Sequence, residues 1–490
     1  MSAILSCLLA TAMLSPAPAV AAVQQSGTQP VPDAITKHTI QLPSGPLSYT
    51  AHASMIGLGP EGSPDCHMFY VAYTKDGADL GKRPVTFAFN GGPGSSTMWL
   101  HMGSLGPKRA PMNDDGSLPK PPYQAVDNQE TWLDFTDVVV IDAPGTGYSR
   151  LANSAAGPRY FGVNQDIQAF TNFIRLWLTK HQRWNSPLFV AGESYGGIRG
   201  SGLSASLLRA GIAIHGFISI SGTSSYLTLD GMRGNDVTYL GFLPSLAATA
   251  WYHKRLDRRF TSVEQVAKEA VTFVDTEYAA ALQRGDSLTD AEKDRIASKM
   301  SQLLGLSKEY ILAANLRISE FSFFRELLRD KRLQVGRLDS RITGKEELGV
   351  GDRGSGDPSD GAITPPYTAS INDYLTRDLQ IKAPYPYLNY GSVRPWEEPE
   401  GSYAETASEL RYALTRNPHF KVLYTCGYYD LACPFHATMY TLNHMGLDAE
   451  SRSRVSFAYY PAGHMMYTEK TSRIKFHADV REFVKACLAE

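Results

Sequence analysis

The chain has 490 residues, 43% of them hydrophobic and 20% charged, with 47 Lys and Arg against 49 Asp and Glu. This is the make-up of an ordinary globular protein, long enough for one large α/β domain carrying an inserted region. A formal net charge of −2 with no long basic block argues against a nucleic-acid or anionic-membrane surface.

The N-terminal stretch "MSAILSCLLATAMLSPAPAVAAVQQSG" opens on an apolar run too short to span a bilayer. With an A-x-A site at Ala19–Ala21, residues 1–21 read as a secretory signal cleaved near Ala22, although the expected basic residue at its start is missing. The alternative is a disordered apolar terminus. An exported protein, periplasmic or secreted, is therefore expected. Cys7 leaves with the signal. Cys66, Cys426, Cys433 and Cys487 remain, too few for a disulfide-stapled scaffold, and their pairing is open.

From Val31 to Leu151 strands alternate with glycine and proline turns; "HMFYVAYT", "VTFAFN" and "DVVVID" are the clearest. A helix is predicted from Asn164 to Lys180, with Ile167, Phe170, Phe173, Ile174 and Trp177 on one face. Leu188–Ala191 forms a short buried strand, then comes a sharp turn. A helix with Ile198, Leu203, Leu207 and Leu208 at helical spacing follows, then the strand "HGFISIS". Strands alternating with helices predict a mostly parallel sheet covered on both faces. From Asp230 to about Gly344 the chain turns helical and more charged, with a capping signal at Thr289 and Glu292 and a stop at Gly305. "GVGDRGSGDPSDGAITPPY" reads as a turn-rich, flexible stretch. The sheet pattern returns in "HFKVLYTCG" and "SRVSFAYYPAG", and an amphipathic helix from Ser472 closes the chain. The expected organisation is a core over 22–225, a helical cap insertion over 226–386 and the rest of the core over 387–490.

The chemistry centres on Gly192-Glu193-Ser194-Tyr195-Gly196, a G-x-S-x-G turn between a strand and a helix. In an α/β-hydrolase such an elbow exposes a nucleophilic serine, and an acid and a histidine follow in chain order after later strands. Asp430 in "KVLYTCGYYD" fits the acid; its plainer reading is a turn aspartate bonding its own backbone. Of 12 histidines, His464 in "FAYYPAGHMMY" follows a strand and a glycine, whereas His436 and His444 lie in an apparent helix. "VTFAFNGGPGSST" runs a strand into Asn90-Gly91-Gly92-Pro93-Gly94, whose backbone N–H groups can hold a negative oxygen. A phosphate loop would need the Lys and Ser/Thr ending that this loop lacks, and no H-E-x-x-H or comparable zinc cluster occurs.

The motifs "NGGPGSS", "IDAPGTGYSR", "GESYGG", "GYYDLACPF" and "AGHMM" stand in the order found in the serine carboxypeptidases, which this chain resembles over nearly its whole mature length, weakly in the helical insertion. The resemblance implies an α/β-hydrolase fold with a helical cap. It also implies Ser194 as nucleophile, His464 as base and Asp430 as its orienting acid. Gly92 and Tyr195 would form the oxyanion hole. Asn90, Gly91 and Glu193 would bind the substrate's terminal carboxylate. Two positions depart from the family. Ser95 stands where members usually carry a cysteine, and Ser104 replaces the second carboxylate-binding glutamate, leaving Glu193 alone. Tyr148 is read as lining the cleft; Trp99 and Met465 serve equally well as core. Cys433 is either a free thiol beside the cleft or a partner of Cys426. The expected activity is release of C-terminal residues from peptides through an acyl-enzyme, with no metal or organic cofactor. The partner is a peptide or small acyl substrate, with no nucleic acid and no membrane span. The rivals are an esterase or acyltransferase on the same fold, which Ser104 makes credible, and a catalytically dead binding protein, which has no need of a strained elbow.

Overall fold

The computed structural model describes residues 29–231, 234–346, 356–397 and 403–489. The expected signal, residues 1–21, lies outside them. Nine strands form one sheet: β1 (Ala34–Leu42), β2 (Gly45–Leu58), β3 (Cys66–Lys75), β4 (Val85–Phe89), β5 (Asp137–Ile141), β6 (Leu188–Glu193), β7 (Gly216–Ile220), β8 (Lys421–Gly427) and β9 (Val455–Tyr460). Their order is β1-β2-β3-β5-β4-β6-β7-β8-β9, and the two-residue strand Arg150–Leu151 adds to β3.

The β1–β2, β2–β3 and β3–β5 pairs are antiparallel, and every pair from β5–β4 to β8–β9 is parallel. Along β1 exposed residues alternate with partly buried ones, and with fully buried Ile40 and Leu42 at its end, as on an edge strand wet on one face. In contrast, β4, β5, β6 and β7 are buried at every residue, because helices cover both faces. The mostly parallel sheet of an α/β-hydrolase is thus present, with an antiparallel edge that the strand-and-helix alternation alone did not reveal.

Side chains leave each strand alternately for two cores. Phe87 and Phe89 of β4 join the layer under α1 (Val163–Lys180), α2 (Gly196–Arg209) and α7 (Ala407–Arg416); Ala88 faces the other, with α9 (Lys470–Leu488). The predicted stripe of α1 is buried, and Trp177 meets Phe87 edge-on at 5.2 Å between ring centres. α9 starts at Lys470, two residues before the expected Ser472, because the Glu469 side chain caps it by accepting from the Thr471 and Ser472 N–H groups.

Between β7 and β8 lie α3 (Val237–Tyr252), α4 (Val263–Phe273), α5 (Asp290–Leu304) and α6 (Pro358–Asp373). The first three enclose an apolar core of their own around Leu246, Phe273, Ile296 and Leu303. The expected capping box at Thr289 and Glu292 is formed, and Gly305 ends α5 in the left-handed conformation at φ 65°. One expectation is overturned. Of the stretch read as turn-rich and flexible, residues 349–355 lie outside the described residues, while Pro358–Asp373 is α6. Asp357 caps it by accepting from Ser359 N, and Pro358 sits where a helix tolerates proline. Pro365 and Pro366 each cost about 3 kcal/mol in a helix interior, but Ile363, Pro366, Tyr367 and Ile371 are buried, and burial outweighs propensity. Among the described residues no helix is long and apolar enough to cross a membrane.

Register sets where the loops emerge. Phe89 pairs with Gly192, Glu193 with Ile220, Ile220 with Thr425, and Gly427 with Tyr460. The carboxyl ends of β4, β6, β7, β8 and β9 therefore lie along one rim, where α/β sheets bind ligands.

Candidate active site

Ser194 occupies the turn from β6 into α2 with φ 63°, a left-handed conformation that costs a non-glycine residue about 1–3 kcal/mol. The strain is held from both sides: Ser194 N donates to Ile220 O at 3.0 Å, and Gly197 N donates to Ser194 O at 2.8 Å. Gly192 leaves no room for a side chain, since a Cβ there would collide with the Gly196 carbonyl and lie 2.7 Å from the Phe89 ring. Glu193 and Tyr195 are buried on either side, and Ser194 is partly exposed between them.

His464, in the loop after β9, is anchored by its N–H to Leu338 O at 2.6 Å. Its Nδ1–H donates to Asp430 Oδ2 at 2.8 Å, and both side chains are buried. The other Asp430 oxygen accepts from the backbone of Ala432 and Cys433, at 2.7 and 2.9 Å. Both readings of this aspartate hold, one per oxygen. Burial opposes charge on His464, but the Asp430 carboxylate outweighs it and raises the imidazole pKa above its ordinary value. Cys433 and Cys426 are separate buried thiols rather than a disulfide. Cys433 meets the Ser194 side chain, and burial pushes its thiol pKa far up, so it stays neutral. His436 and His444 belong to α8 (Phe435–Asn443) and its end, away from Asp430: His436 nears Asp275 at 3.9 Å, and His444 bonds Tyr440 O at 2.8 Å.

β4 delivers Asn90, Gly91 and Gly92 beside the elbow. Gly91 approaches it so closely that a Cβ would lie 2.5 Å from Tyr195 N and 2.7 Å from Glu193 O. Gly92 has φ 110° and is exposed. Neither Gly92 N–H nor Tyr195 N–H donates to an acceptor among the described residues. Beneath them Glu193 is buried with both oxygens bonded: Asn90 Nδ2 donates to Oε1 at 2.7 Å and the Tyr467 hydroxyl to Oε2 at 2.5 Å. Burial raises the Glu193 pKa to about 7; nearby His464, Tyr467 and Asn90 oppose that rise and Asp430 adds to it.

Ser104 is buried in a wide helical turn, His101–Leu105, where its carbonyl accepts from Asn128 Nδ2 at 2.7 Å. Ser95 accepts from the Trp99 indole N–H at 2.8 Å, a hydrogen bond in place of the expected family cysteine. Tyr148 is corrected from cleft to core: it is 3% exposed, enclosed by Phe69, Tyr385 and Tyr387. Trp99 and Met465 are core as well.

Two residues of the site were missed from sequence. Tyr467 carried a weak signal, lying three residues after His464 in the same loop. Arg199 carried none, because a charged residue on an otherwise apolar helix reads as solvent-facing. It is wholly buried, donating Nε to Asp166 Oδ2 at 2.7 Å and Nη1 to the Asn90 carbonyl at 2.5 Å, and so ties the glycine loop to α2.

Chemically, the rim combines a strained, accessible hydroxyl, a carboxylate-oriented imidazole, two undirected N–H groups and a carboxyl that is easily kept neutral. Serine carboxypeptidase-like 17 of Arabidopsis thaliana is 32% identical over 158 residues, 31% of this chain and 34% of that protein. The serine carboxypeptidase ctsa-3.2 of Caenorhabditis elegans is 29% identical over 143 residues, 28% of this chain and 26% of that protein. These matches span about a third or less of the relatives' length. The structure of the prohormone-processing carboxypeptidase Kex1 from Saccharomyces cerevisiae superposes with a TM-score of 0.56 at 16% identity, covering 89% of this chain and 92% of that one, a likeness of fold. The serine carboxypeptidase family model matches residues 57–478, from β2 to the last helix and through every loop of the rim, and the chain belongs to that family.

Proposed function

We propose that the protein is an exported serine-type carboxypeptidase that releases C-terminal residues from peptides. The observation that carries this reading is Glu193: a buried carboxyl next to the elbow serine, its pKa raised by burial, with one oxygen bonded by Asn90 and the other by Tyr467. Hydrolysis of an ester that carries no free acid does not call on a donor at that place. An enzyme that reads a terminal carboxylate does, because a protonated carboxyl can donate to the incoming anion where an ionised one would repel it.

In this mechanism Ser194 Oγ attacks the carbonyl carbon of the last peptide bond while His464 Nε2 takes its proton. The Asp430 hydrogen bond fixes the tautomer that leaves Nε2 free to accept. The N–H groups of Gly92 and Tyr195 receive the negative oxygen of the tetrahedral intermediate. Collapse breaks the C–N bond and His464 returns the proton to the departing amine; a water then repeats the cycle on the acyl-enzyme. The substrate's terminal carboxylate lies against Glu193, with the second N–H of the Asn90 amide and the Gly91 N–H as further donors. The insertion over 226–386 serves as a cap that shapes substrate choice. Its segment at Arg337–Leu338 supports this, since Leu338 O holds His464 N and Arg337 O accepts from Leu431 N at 3.1 Å. Export rests on the apolar run and Ala19–Ala21 site of the N-terminus.

The test is peptide release from matched substrates ending in a free acid, an amide or an ester. A carboxypeptidase prefers the free acid. Equal or better turnover of the ester and amide at all pH values would replace this reading with the esterase or acyltransferase one.

A further inference from the structure

We propose that Tyr467 is the second member of the carboxylate-recognising site, a positioning residue that acts through Glu193 and sets the pH at which a free-acid peptide is accepted. The inference rests on the carboxypeptidase reading above.

The family resemblance leaves one role vacant, that of the second glutamate at Ser104. In the fold, the wall beside Ser104 is built from tyrosines. A Cβ added at Gly103 would collide with the Tyr467 ring and lie 2.8 Å from the Tyr367 hydroxyl. The turn His101–Leu105 is therefore pressed against both phenols, and Tyr467 reaches past it to Glu193 Oε2 at 2.5 Å. Tyr467 is 1% exposed, so its hydroxyl is held away from bulk water.

A phenol does different work from a carboxyl at this position. Two carboxyls facing a substrate carboxylate must hold two protons among three acids, and their mutual repulsion ties binding to acid pH. A tyrosine with its pKa pushed well above 10, by burial and by the Glu193 charge, remains a donor throughout the working range. It occupies one Glu193 oxygen, leaving Oε1 with its Asn90 contact to carry the single shared proton toward the substrate. A hydrogen bond donated to a carboxylate favours the ionised form, so Tyr467 holds the Glu193 pKa below the value that burial alone would impose. The other titratable groups within reach of Glu193 are His464 and Asp430 from the loops after β9 and β8, Cys433 beside Ser194, Tyr367 of α6 and Tyr390. Besides Tyr467, His464 and the Asn90 amide favour its charge, and both remain when Tyr467 is changed.

The experiment measures kcat/KM against pH for a blocked dipeptide with a free C-terminus and for its C-terminal amide, and takes their ratio. His464 and the oxyanion donors act on both substrates and cancel. In the wild type the ratio should fall above a midpoint near 7, where Glu193 ionises. In Tyr467→Phe the midpoint should move up by about one pH unit, the loss of a hydrogen bond to a charged acceptor, and the acid plateau of the ratio should drop as Glu193 loses its orientation. If the Phe variant does not fold, Gly103→Ala tests the same bond by displacing the ring instead of removing the hydroxyl, with the same upward shift expected. A wild-type midpoint near 7 that is unmoved or lowered in a folded variant overturns the role of Tyr467 while the carboxypeptidase reading stands. A wild-type ratio that is flat with pH and shows no free-acid preference overturns both.

Discussion

A single methyl group tests whether the oxyanion donors lie at the junction of the glycine loop and the elbow. Gly91 does not need positive φ, so alanine there is conformationally acceptable and the perturbation is purely steric. Its Cβ would stand 2.5 Å from Tyr195 N, 2.7 Å from Glu193 O and 2.7 Å from Gly196 N, all backbone atoms with no rotamer to yield. Ordinary contact begins near 3.4 Å, so the loops must part by roughly 0.9 Å. Sliding is resisted because Asn90 and Gly91 are tethered: Asn90 Oδ1 accepts from Leu100 N at 3.0 Å, the Asn90 carbonyl from Arg199 Nη1 at 2.5 Å, and the Gly91 carbonyl from Ser95 N at 3.1 Å. Oxyanion donors work within about 2.7–3.1 Å, and losing one costs about 10²–10³ in kcat. Gly91→Ala should therefore lower kcat by roughly that factor on both an activated ester and a peptide, with a smaller change in KM. Overpacking should cost about 1–3 kcal/mol of stability. Gly361→Ala, in open space on α6, is the control and should match the wild type. A folded Gly91→Ala protein with kcat within threefold of wild type on the ester would show that no oxyanion donor depends on this contact.

The elbow and the buried acid each give a further expectation. A fluorophosphonate should label the wild type once and Ser194→Ala not at all, and the substitution should cut turnover by about 10⁴ or more; labelling that persists in the variant removes Ser194 from the mechanism. Glu193 should also leave a mark on stability, because its folded pKa of about 7 lies above the ordinary 4.5. An acid raised on folding contributes stability that is complete below pH 4.5 and lost as pH rises through 7, about 3 kcal/mol in all at 1.36 kcal/mol per pKa unit. Glu193→Gln lacks that loss, so its melting temperature should decline less than the wild type's between pH 5 and pH 8; parallel curves would contradict the buried, raised carboxyl.

The sequence made the backbone of the site legible because its constraints are local. A strained serine needs glycines at fixed offsets, and loops at the ends of parallel strands need turn residues directly after apolar runs, so Ser194, Asp430, His464 and the loop at Asn90–Gly92 could be located from spacing. Family motifs then supplied roles that spacing cannot. The antiparallel edge escaped because β1 and β2 carry a mixed, half-exposed pattern. α6 escaped because Gly361, Pro365 and Pro366 signal a turn, and only burial of Ile363, Tyr367 and Ile371 reveals why the helix survives them. Arg199 escaped for a similar reason: its charge is balanced by Asp166, which lies 33 residues earlier on α1 and meets it only once both helices have packed on the sheet.

The side chains around Glu193 lie beyond such local rules, and in the proposed reading they govern recognition of the substrate's carboxylate. Read along the chain, Ser104 is a loss, a hydroxyl where a carboxyl is expected. In space, the turn that carries Ser104 packs against Tyr467, which is 363 positions away and already bonded to the one glutamate that remains. A missing group and its replacement need not be neighbours in sequence; they need only share a partner. Here the partner is Glu193, fixed by the elbow through its place before Ser194 and by the glycine loop through Asn90. Because that carboxyl is held by the same elements that hold the nucleophile, the proposal expects a change in the groups bonded to it to alter substrate preference and pH response while the serine, histidine and aspartate keep their geometry.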